Sequence, residues 1–267
     1  MRPLLAASLL LLCPATYAQG SALPVDAPAD IATFRGNAAH TGVYRAPGVA
    51  TFHKVKWQFR TKGQVLSSPT VSGGTVYFGS NDHRLYALDL ASGEKKWEFK
   101  TDGRVASSAT VSNGVVYFLS YDSNFYAVDA ASGTLNWKFK TEGERRFVAK
   151  HLHGVEPASE PVPDPFDFFL SSPVVAEGMV FFGSGDSNVY ALDATTGSLK
   201  WKFKTGDVVH ASPAFGDGTV FVGGWDTYFY AIDAASGNRS GGLMRHQATS
   251  TSAGTASIGL SPKRITS

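Results

Sequence analysis

The chain has 267 residues, of which 43% are hydrophobic and 17% charged, so it can bury a core and is not disordered along its whole length. Its formal net charge of +2, without a basic run, predicts neither nucleic acid nor an anionic membrane surface as a partner. The 28 glycines and 12% aromatic residues favour many short strands joined by tight turns, because aromatic rings suit pleated surfaces and glycine tolerates positive φ.

The first residues have the pattern of a secretory signal. Arg2 supplies the positive start, Leu4 to Leu12 form a short apolar run, and Thr16-Tyr17-Ala18 is a plausible cleavage site. The apolar run is far shorter than the roughly 20 residues that a membrane helix needs, and no later stretch is apolar enough to span a bilayer. We therefore predict a signal peptide at 1–18, cleaved near Ala18, a periplasmic or secreted protein, and no transmembrane segment in the mature chain.

Cys13 is the only cysteine in the sequence. It offers an alternative interpretation of the leader as a lipoprotein signal, but Leu12 stands where such a signal has a small residue. The mature chain is expected to have no cysteine, and hence no disulfide and no thiolate metal site. Residues 19–54, which precede the repeats, are interpreted as an N-terminal lead-in.

An internal repeat is the strongest signal in the sequence, and it begins after the lead-in. The pattern Ala-x-Asp-x-x-x-Gly-x-x-x-Trp occurs in three complete copies and, without the tryptophan, in a fourth. Its tryptophans include Trp97 and Trp137, which are 40 residues apart, and Trp201. An earlier tryptophan, Trp57, lies 40 residues before Trp97 without the upstream alanine, aspartate and glycine.

Each repeat holds four short apolar stretches separated by Gly, Asn, Asp and Ser turns. A period of about 40 residues with four strands predicts a β-propeller blade. A helical solenoid of similar period would need apolar residues at a spacing of 3.6, and the sequence has none. A further aspartate, interpreted as a turn residue, follows the second stretch of each unit at Asp82, Asp122, Asp186 and Asp226. The predicted fold is all-β, with blades over 55–237.

The motif resembles the tryptophan-docking motif of pyrroloquinoline-quinone (PQQ) repeats, and it covers most of the mature chain. The lead-in Phe34-Arg35-Gly36-Asn37-x-x-His40-Thr41-Gly42 is also similar to the segment before the first blade of such proteins. The resemblance implies that each tryptophan docks between adjacent blades, while the aspartate and glycine shape a turn. The implied docking residues are Trp57, Trp97, Trp137 and Trp201, with Asp89, Asp129, Asp193, Asp233, Gly93, Gly133, Gly197 and Gly237.

The repeat is interrupted twice. An insertion of 24 residues falls at 144–169, where Pro157, Pro161, Pro163 and Pro165 exclude a central strand or a continuous helix. We predict a long surface loop over one face of the propeller, where loops often carry function.

The second interruption follows Gly237, because Gly241 stands where the next tryptophan is expected. Residues 238–267 are rich in Ser, Thr, Gly and Ala, and we interpret them as a disordered tail, the product of a frameshift or truncation or a genuine short variant. The fourth unit would then lack its outer strand. The strand of Trp57 could complete it and close a ring of four blades, but we favour an open arc or incomplete ring.

Residues that recur in every blade are expected to be structural, so the candidate ligand-binding residues are those that break the repeat. Trp225 stands where other units have Asn81, Tyr121 and Gly185, and could stack on a flat ligand or cover a neighbouring blade. His210 stands where they have Leu66, Ala106 and Leu170. In the insertion, His151 and His153 with Glu156 could form part of a metal site, but no further ligand at fixed spacing supports one, so we predict neither a metal site nor a catalytic residue.

Two functions from different classes fit these features. The family includes non-enzymatic scaffolds, such as the propeller lipoprotein of the outer-membrane barrel-assembly machine, and quinoprotein dehydrogenases. The first hypothesis is an exported binding or assembly scaffold with protein partners in the periplasm or at the outer membrane. The alternative is a fragment of a PQQ-dependent dehydrogenase, for which the resemblance implies PQQ and calcium as cofactors. Such oxidoreductases typically have a catalytic aspartate and often a ring of neighbouring cysteines, so the cysteine-free mature chain favours a protein that is not an enzyme.

Overall fold

Short strands are the main secondary-structure elements of the described part of the chain, which in this computed structural model comprises residues 31–42, 54–147, 162–163, 170–239 and 244–245. Before the repeats lie β1 (Ile31–Ala32) and a 3-10 turn (Phe34–Gly36). Blade 1 contains β2 (Thr70–Ser72), β3 (Thr75–Ser80), β4 (Arg84–Asp89) and β5 (Lys95–Lys100), and blade 2 contains β6 (Thr110–Ser112), β7 (Val115–Ser120), β8 (Asn124–Asp129) and β9 (Leu135–Lys140). Two short strands, β10 (Arg146–Phe147) and β11 (Val162–Pro163), pair with each other within the insertion. Blade 3 contains β12 (Val174–Ala176), β13 (Met179–Ser184), β14 (Asn188–Asp193) and β15 (Leu199–Lys204), and blade 4 contains β16 (Ala214–Gly216), β17 (Thr219–Gly223), β18 (Tyr228–Asp233) and β19 (Met244–Arg245).

Each blade is an antiparallel sheet whose strands lie side by side in chain order. The register aligns Tyr77 with Ala87 and Ala87 with Trp97 in blade 1, and blades 2 and 3 repeat this alignment. The two middle strands are almost wholly buried, because both faces of the sheet are covered. The outer strand β5 alternates between buried and exposed residues, as a strand with one covered face does.

The hydrophobic core lies between successive blades. We call the surface of a blade toward the next blade its trailing face and the surface toward the previous blade its leading face. Between blades 1 and 2 the core is formed by the trailing face of blade 1 and the leading face of blade 2. Equivalent cores lie between blades 2 and 3 and between blades 3 and 4. A fourth cluster covers the leading face of blade 1 and contains Trp57 and Phe59. The described blades therefore form an all-β partial propeller, as the sequence predicts, and we call this row of blades the arc.

The lead-in lies along the inner strands. Strand β1 pairs antiparallel with β6 and so adds a fifth strand to the sheet of blade 2. The buried hydroxyl of Thr33 lies 2.9 Å from that of Thr110, and the backbone N–H of Phe215 in blade 4 donates to Ala38 O at 2.8 Å. The segment 31–42 thus connects blades 2 and 4 through the chain's own backbone.

The two ends of the arc are completed differently. The segment 54–60 lies against blade 1, where the Trp57 indole N–H donates to Leu90 O at 3.1 Å. On blade 4 the outer position is taken by β19, which pairs with Tyr228 and Phe229, and by a bridge from Arg239 to Ile232. The sequence expectation that the fourth unit lacks an outer strand is therefore wrong, since a chain segment without a repeat motif can still satisfy an unpaired strand edge. The remainder of 238–267 lies outside the described residues, so its disorder stays a prediction.

Within the described ranges, no helix is long and apolar enough to cross a membrane.

Candidate functional site

The tryptophans of the motif connect each blade to the next. Trp97 in blade 1 donates its indole N–H to Ala130 O in blade 2 at 3.0 Å. Trp137 donates to Ala194 O at 3.2 Å, and Trp201 donates to Ala234 O at 2.7 Å. Trp57 forms the same bond with Leu90 O, so an indole N–H to backbone carbonyl bond recurs at each blade.

The glycines of the motif lie directly under these indole rings. Gly133 has φ +73°, and a Cβ atom there would lie 2.7 Å from Cδ2 and Cε3 of Trp97. Gly93, Gly197 and Gly237 stand in the same relation to Trp57, Trp137 and Trp201. Only glycine satisfies both constraints, because an L side chain disfavours this backbone region and the ring leaves no room for one.

The aspartates of the motif order the turn that carries the glycine. The Asp89 carboxylate accepts the backbone N–H groups of Ala91 and Ser92, each at 2.9 Å. These bonds, led by that from Ser92, lower the pKa of Asp89, because they favour the ionised carboxylate. In Asp193 the Thr196 N–H and the Lys200 ammonium lower the pKa to about 2. These geometries support a structural role for the repeated aspartates.

The aspartates that follow the second strand of each unit also join neighbouring blades. The sequence predicted them only as turn residues. Asp122 in blade 2 accepts the backbone N–H of Asp102 at 3.0 Å and the hydroxyl of Tyr126 at 2.7 Å. Equivalent bonds involve Asp82, Asp186 and Asp226. Burial, and then the bond to Asp82, raises the pKa of Tyr86 to about 12.

A row of serines near the inner strands provides a third link. The backbone N–H of Ser68 donates to the hydroxyl of Ser108 at 2.8 Å. Ser108 N–H donates to Ser172 at 3.1 Å, and Ser172 N–H donates to Ser212 at 3.0 Å. The recurrence of Ser at these positions was visible in the sequence, but the hydroxyl's partner lies 40 or 64 residues away and could not be identified there.

Two of the candidate residues that break the repeat lie together, between blades 3 and 4. The buried imidazole of His210 packs against the edge of the Trp225 ring, with centroids 5.3 Å apart and planes at 83°. Trp225 itself is 53% exposed. A carboxylate oxygen of Glu144 lies 3.5 Å from His210 Nε2, and both side chains are almost fully buried. Sequence reasoning missed Glu144 because it belongs to the start of the insertion, 66 positions before the histidine.

An ion pair lies beside this cluster. The Arg145 guanidinium is 2.7 Å from the Asp207 carboxylate, and it joins the insertion to the connection between blades 3 and 4. Burial acts to raise the pKa of Asp207, but the Val208 N–H, Arg145 and His210 together hold it below its usual value. Glu144, Arg145, Asp207, His210 and Trp225 form what we call the 3–4 cluster.

The 3–4 cluster lies on one face of the arc. Strand order places on that face the turns between the two middle strands of each blade and the connections from one blade to the next. The insertion begins and ends there. At the equivalent place between blades 1 and 2 there is a different pair, in which the Arg104 guanidinium lies 4.5 Å from the centroid of the Tyr121 ring. The repeat is therefore most variable on this face, which we call the connection face.

His151 and His153 lie outside the described residues, so their candidate role stays a prediction. Among the described residues, no group of three or more His, Cys, Asp or Glu side chains is placed to hold a metal ion. The described carboxylates of the repeat are instead bonded to turn N–H groups and tyrosine hydroxyls. The described residues thus contain no carboxylate cluster for the calcium that the resemblance implied, and the implied quinone stays a prediction.

Two clefts on the opposite face recur between blades and show no such specialisation. One, of about 590 Å³, lies between blades 1 and 2 beside Tyr77 and Ala130. The other, of about 480 Å³, lies between blades 2 and 3 beside Tyr117 and Ala194, the equivalent residues. Their repetition indicates a consequence of blade packing.

These features define the class of the protein, a β-propeller arc built from PQQ-like repeats. Family comparison then places the chain. The model of the family described as outer membrane protein assembly factor BamB matches residues 53–160 and 158–262. The chain belongs to that family.

Solved structures show the same fold at low sequence identity. BamB from Moraxella catarrhalis is 18% identical with a TM-score of 0.57, over 70% of this chain and 55% of that one. Quinohemoprotein alcohol dehydrogenase from Comamonas testosteroni is 19% identical with a TM-score of 0.53, over 68% of this chain and 35% of that one. A europium-containing methanol dehydrogenase is 19% identical with a TM-score of 0.51, over 70% of this chain and 43% of that one. The chain thus spans about half the length of that BamB. A comparison with curated proteins found no match.

Proposed function

We propose that this chain is an exported, non-enzymatic binding or assembly scaffold, and that it contacts protein partners through the 3–4 cluster on the connection face. The observation that carries the proposal is the exposed side chain of Trp225, whose backbone N–H donates to the carbonyl of Val208, the neighbour of Asp207 in the Arg145–Asp207 ion pair. Membership of a family described as an outer membrane protein assembly factor supports partners in the periplasm or at the outer membrane. The leader-like pattern at 1–18 supports export.

The composition of the cluster suits a protein partner. Trp and Arg are enriched among the residues that dominate protein–protein affinity, because they bury a large area and form directed polar contacts. The His210 imidazole packs against the Trp225 ring in an edge-to-face arrangement, so the indole is held in place before a partner arrives. A preorganised side chain loses less conformational entropy on binding.

Site-specific photo-crosslinking in growing cells tests this proposal. A crosslinker replacing Trp225 should form an adduct with one defined envelope protein, and Arg145→Ala in the same background should reduce its yield. The matched control is a crosslinker replacing Leu199, which is 45% exposed on the outer strand of blade 3. Equal labelling from both positions would refute a binding role for the cluster.

The dehydrogenase alternative has its own measurement. A ligand present at 100 times its dissociation constant stabilises the folded state by about 2.7 kcal/mol. We expect no increase in melting temperature when PQQ and Ca²⁺ are added to the full chain. A saturable increase that requires both additions would favour the dehydrogenase fragment over the scaffold.

A further inference from the structure

The two ends of the arc expose surfaces that are buried at every internal junction. On the trailing face of blade 4, Phe229 is 54% exposed, whereas the equivalent Leu85, Phe125 and Val189 are 0% exposed. On the leading side of blade 1, Val65 is 48% exposed, whereas Val105 and Val209 at equivalent positions are 0% exposed. The repeat itself therefore shows that each end has the surface of an unformed blade junction.

Each end also has the part of a junction that the other lacks. An internal junction contains an outer strand with a tryptophan and a phenylalanine, packed with the middle strands of the same blade against the next blade. Blade 1 already has the outer-strand part on its leading face, because Trp57 and Phe59 cover Val76 and Phe78. It lacks the middle strands of a preceding blade. Blade 4 has those middle strands, with Phe221 and Phe229 exposed, and Gly241 where the tryptophan belongs.

The segment 54–60 has the sequence of an outer strand. Its Lys-Trp-Gln-Phe-Arg matches Lys-Trp-Glu-Phe-Lys in β5 and Lys-Trp-Lys-Phe-Lys in β15. Yet 54–60 is not part of any sheet in the described chain. On blade 4, the outer position holds only the two residues of β19 and one bridge, where blades 1 to 3 have six-residue strands.

The charges of the two ends are complementary. In blade 3, Lys200, the residue before the tryptophan, lies 3.1 Å from Asp193 on the adjacent strand. Lys96 lies 3.6 Å from Asp89 in blade 1 by the same arrangement. Lys56 occupies the position of Lys200 in the segment 54–60, and Asp233 occupies the position of Asp193 at the end of β18. An outer strand formed by 54–60 on blade 4 would place these two charges together.

We propose that two copies of this chain associate head to tail, so that blade 4 of each copy packs on blade 1 of the other and 54–60 displaces β19 as the outer strand. The arc matches part of a longer propeller, covering 55% of BamB from Moraxella catarrhalis, and both of its end faces are exposed, as Phe229 and Val65 show. Two such arcs form one two-fold symmetric ring of eight blades. A closed ring leaves no exposed blade face, whereas the isolated arc exposes two.

Sedimentation velocity of the full chain tests the proposal, and a single species of twice the chain mass is expected. A monomer, or an open-ended series of larger species, would overturn it. Phe229→Glu should abolish the dimer, because it places a charge in both junctions. The control Leu199→Glu changes an apolar side chain of similar exposure, 45% against 54%, on the outer strand of blade 3 and should leave the dimer intact. A persistent Phe229→Glu dimer would contradict the assignment of the interface.

A mixing experiment separates loss of the interface from loss of folding. Phe229→Glu alters only the trailing end and Val65→Asp only the leading end, so each variant alone should be monomeric. When mixed, they can form one junction from two unaltered ends, and a heterodimer should appear. Recovery requires both variants to be folded. Two monomers that do not associate on mixing would overturn the head-to-tail arrangement.

Discussion

The glycines beneath the indole rings allow steric contact and backbone strain to be measured separately. Gly133 and Gly114 both have φ +73°, but a Cβ atom at Gly114 would have no atom within 4 Å. Substitution of Gly114 by alanine therefore introduces only the left-handed backbone strain, about 1–2 kcal/mol. Gly133→Ala introduces the same strain and in addition forces the Trp97 ring to move.

The additional cost follows from the geometry of the indole. A Cβ atom 2.7 Å from two ring carbons must move them by about 1 Å to reach an ordinary carbon–carbon separation. Overpacking of this kind costs about 1–3 kcal/mol. A shift of that size would also lengthen the 3.0 Å bond from Trp97 Nε1 to Ala130 O, and the loss of that bond costs about 1 kcal/mol.

Urea unfolding of the two variants and the parent gives the comparison. We expect Gly133→Ala to lose about 2–4 kcal/mol more than Gly114→Ala. Replacing Trp97 by phenylalanine in the Gly133→Ala background should recover part of that excess, which a double-mutant cycle isolates. Equal losses from the two alanine variants would refute the steric role of the ring.

Two further predictions concern polar contacts. Asp193 has a folded pKa of about 2 against 3.8 for the unbonded group, so its contribution to stability is complete above about pH 4 and is lost as the pH falls through 2. Asp193→Asn should therefore flatten the acid side of the stability–pH curve, and an unchanged slope would contradict this. Ser172→Ala should destabilise by about 1–3 kcal/mol, because it leaves the Ser108 N–H in a buried place without its acceptor. Thermal melts of this variant and of the exposed control Ser198→Ala check the difference, and similar melting temperatures would argue against the inner serine link.

Local patterns sufficed for the blade and its turns. The spacing of aromatic residues, glycines and aspartates predicted the four strands of the first three units, because strand alternation and positive φ depend on a residue and its near neighbours. The turn around Asp89 is such a case, since its carboxylate accepts hydrogen bonds from Ala91 and Ser92, within three residues along the chain. Because the repeated aspartates recur with the same local turn pattern, the sequence could also classify them as structural and not as candidate binding residues.

Other features depend on distant parts of the chain. The sequence singled out His210 and Trp225 separately, and only folding places Glu144 beside His210. The pairing of β1 with β6 joins segments about 80 residues apart, and nothing in the lead-in predicts it. The outer strand of blade 4 comes from a segment whose composition indicated disorder.

The sequence by itself thus determined the identity of the repeating unit and the residues that set its turns, which are local consequences of side-chain size and backbone freedom. Tertiary structure alone decided which blade each tryptophan reaches, where the lead-in lies and which two surfaces remain uncovered. These depend on how one sheet packs against the next, and that packing is set by many apolar contacts between residues distant in the chain.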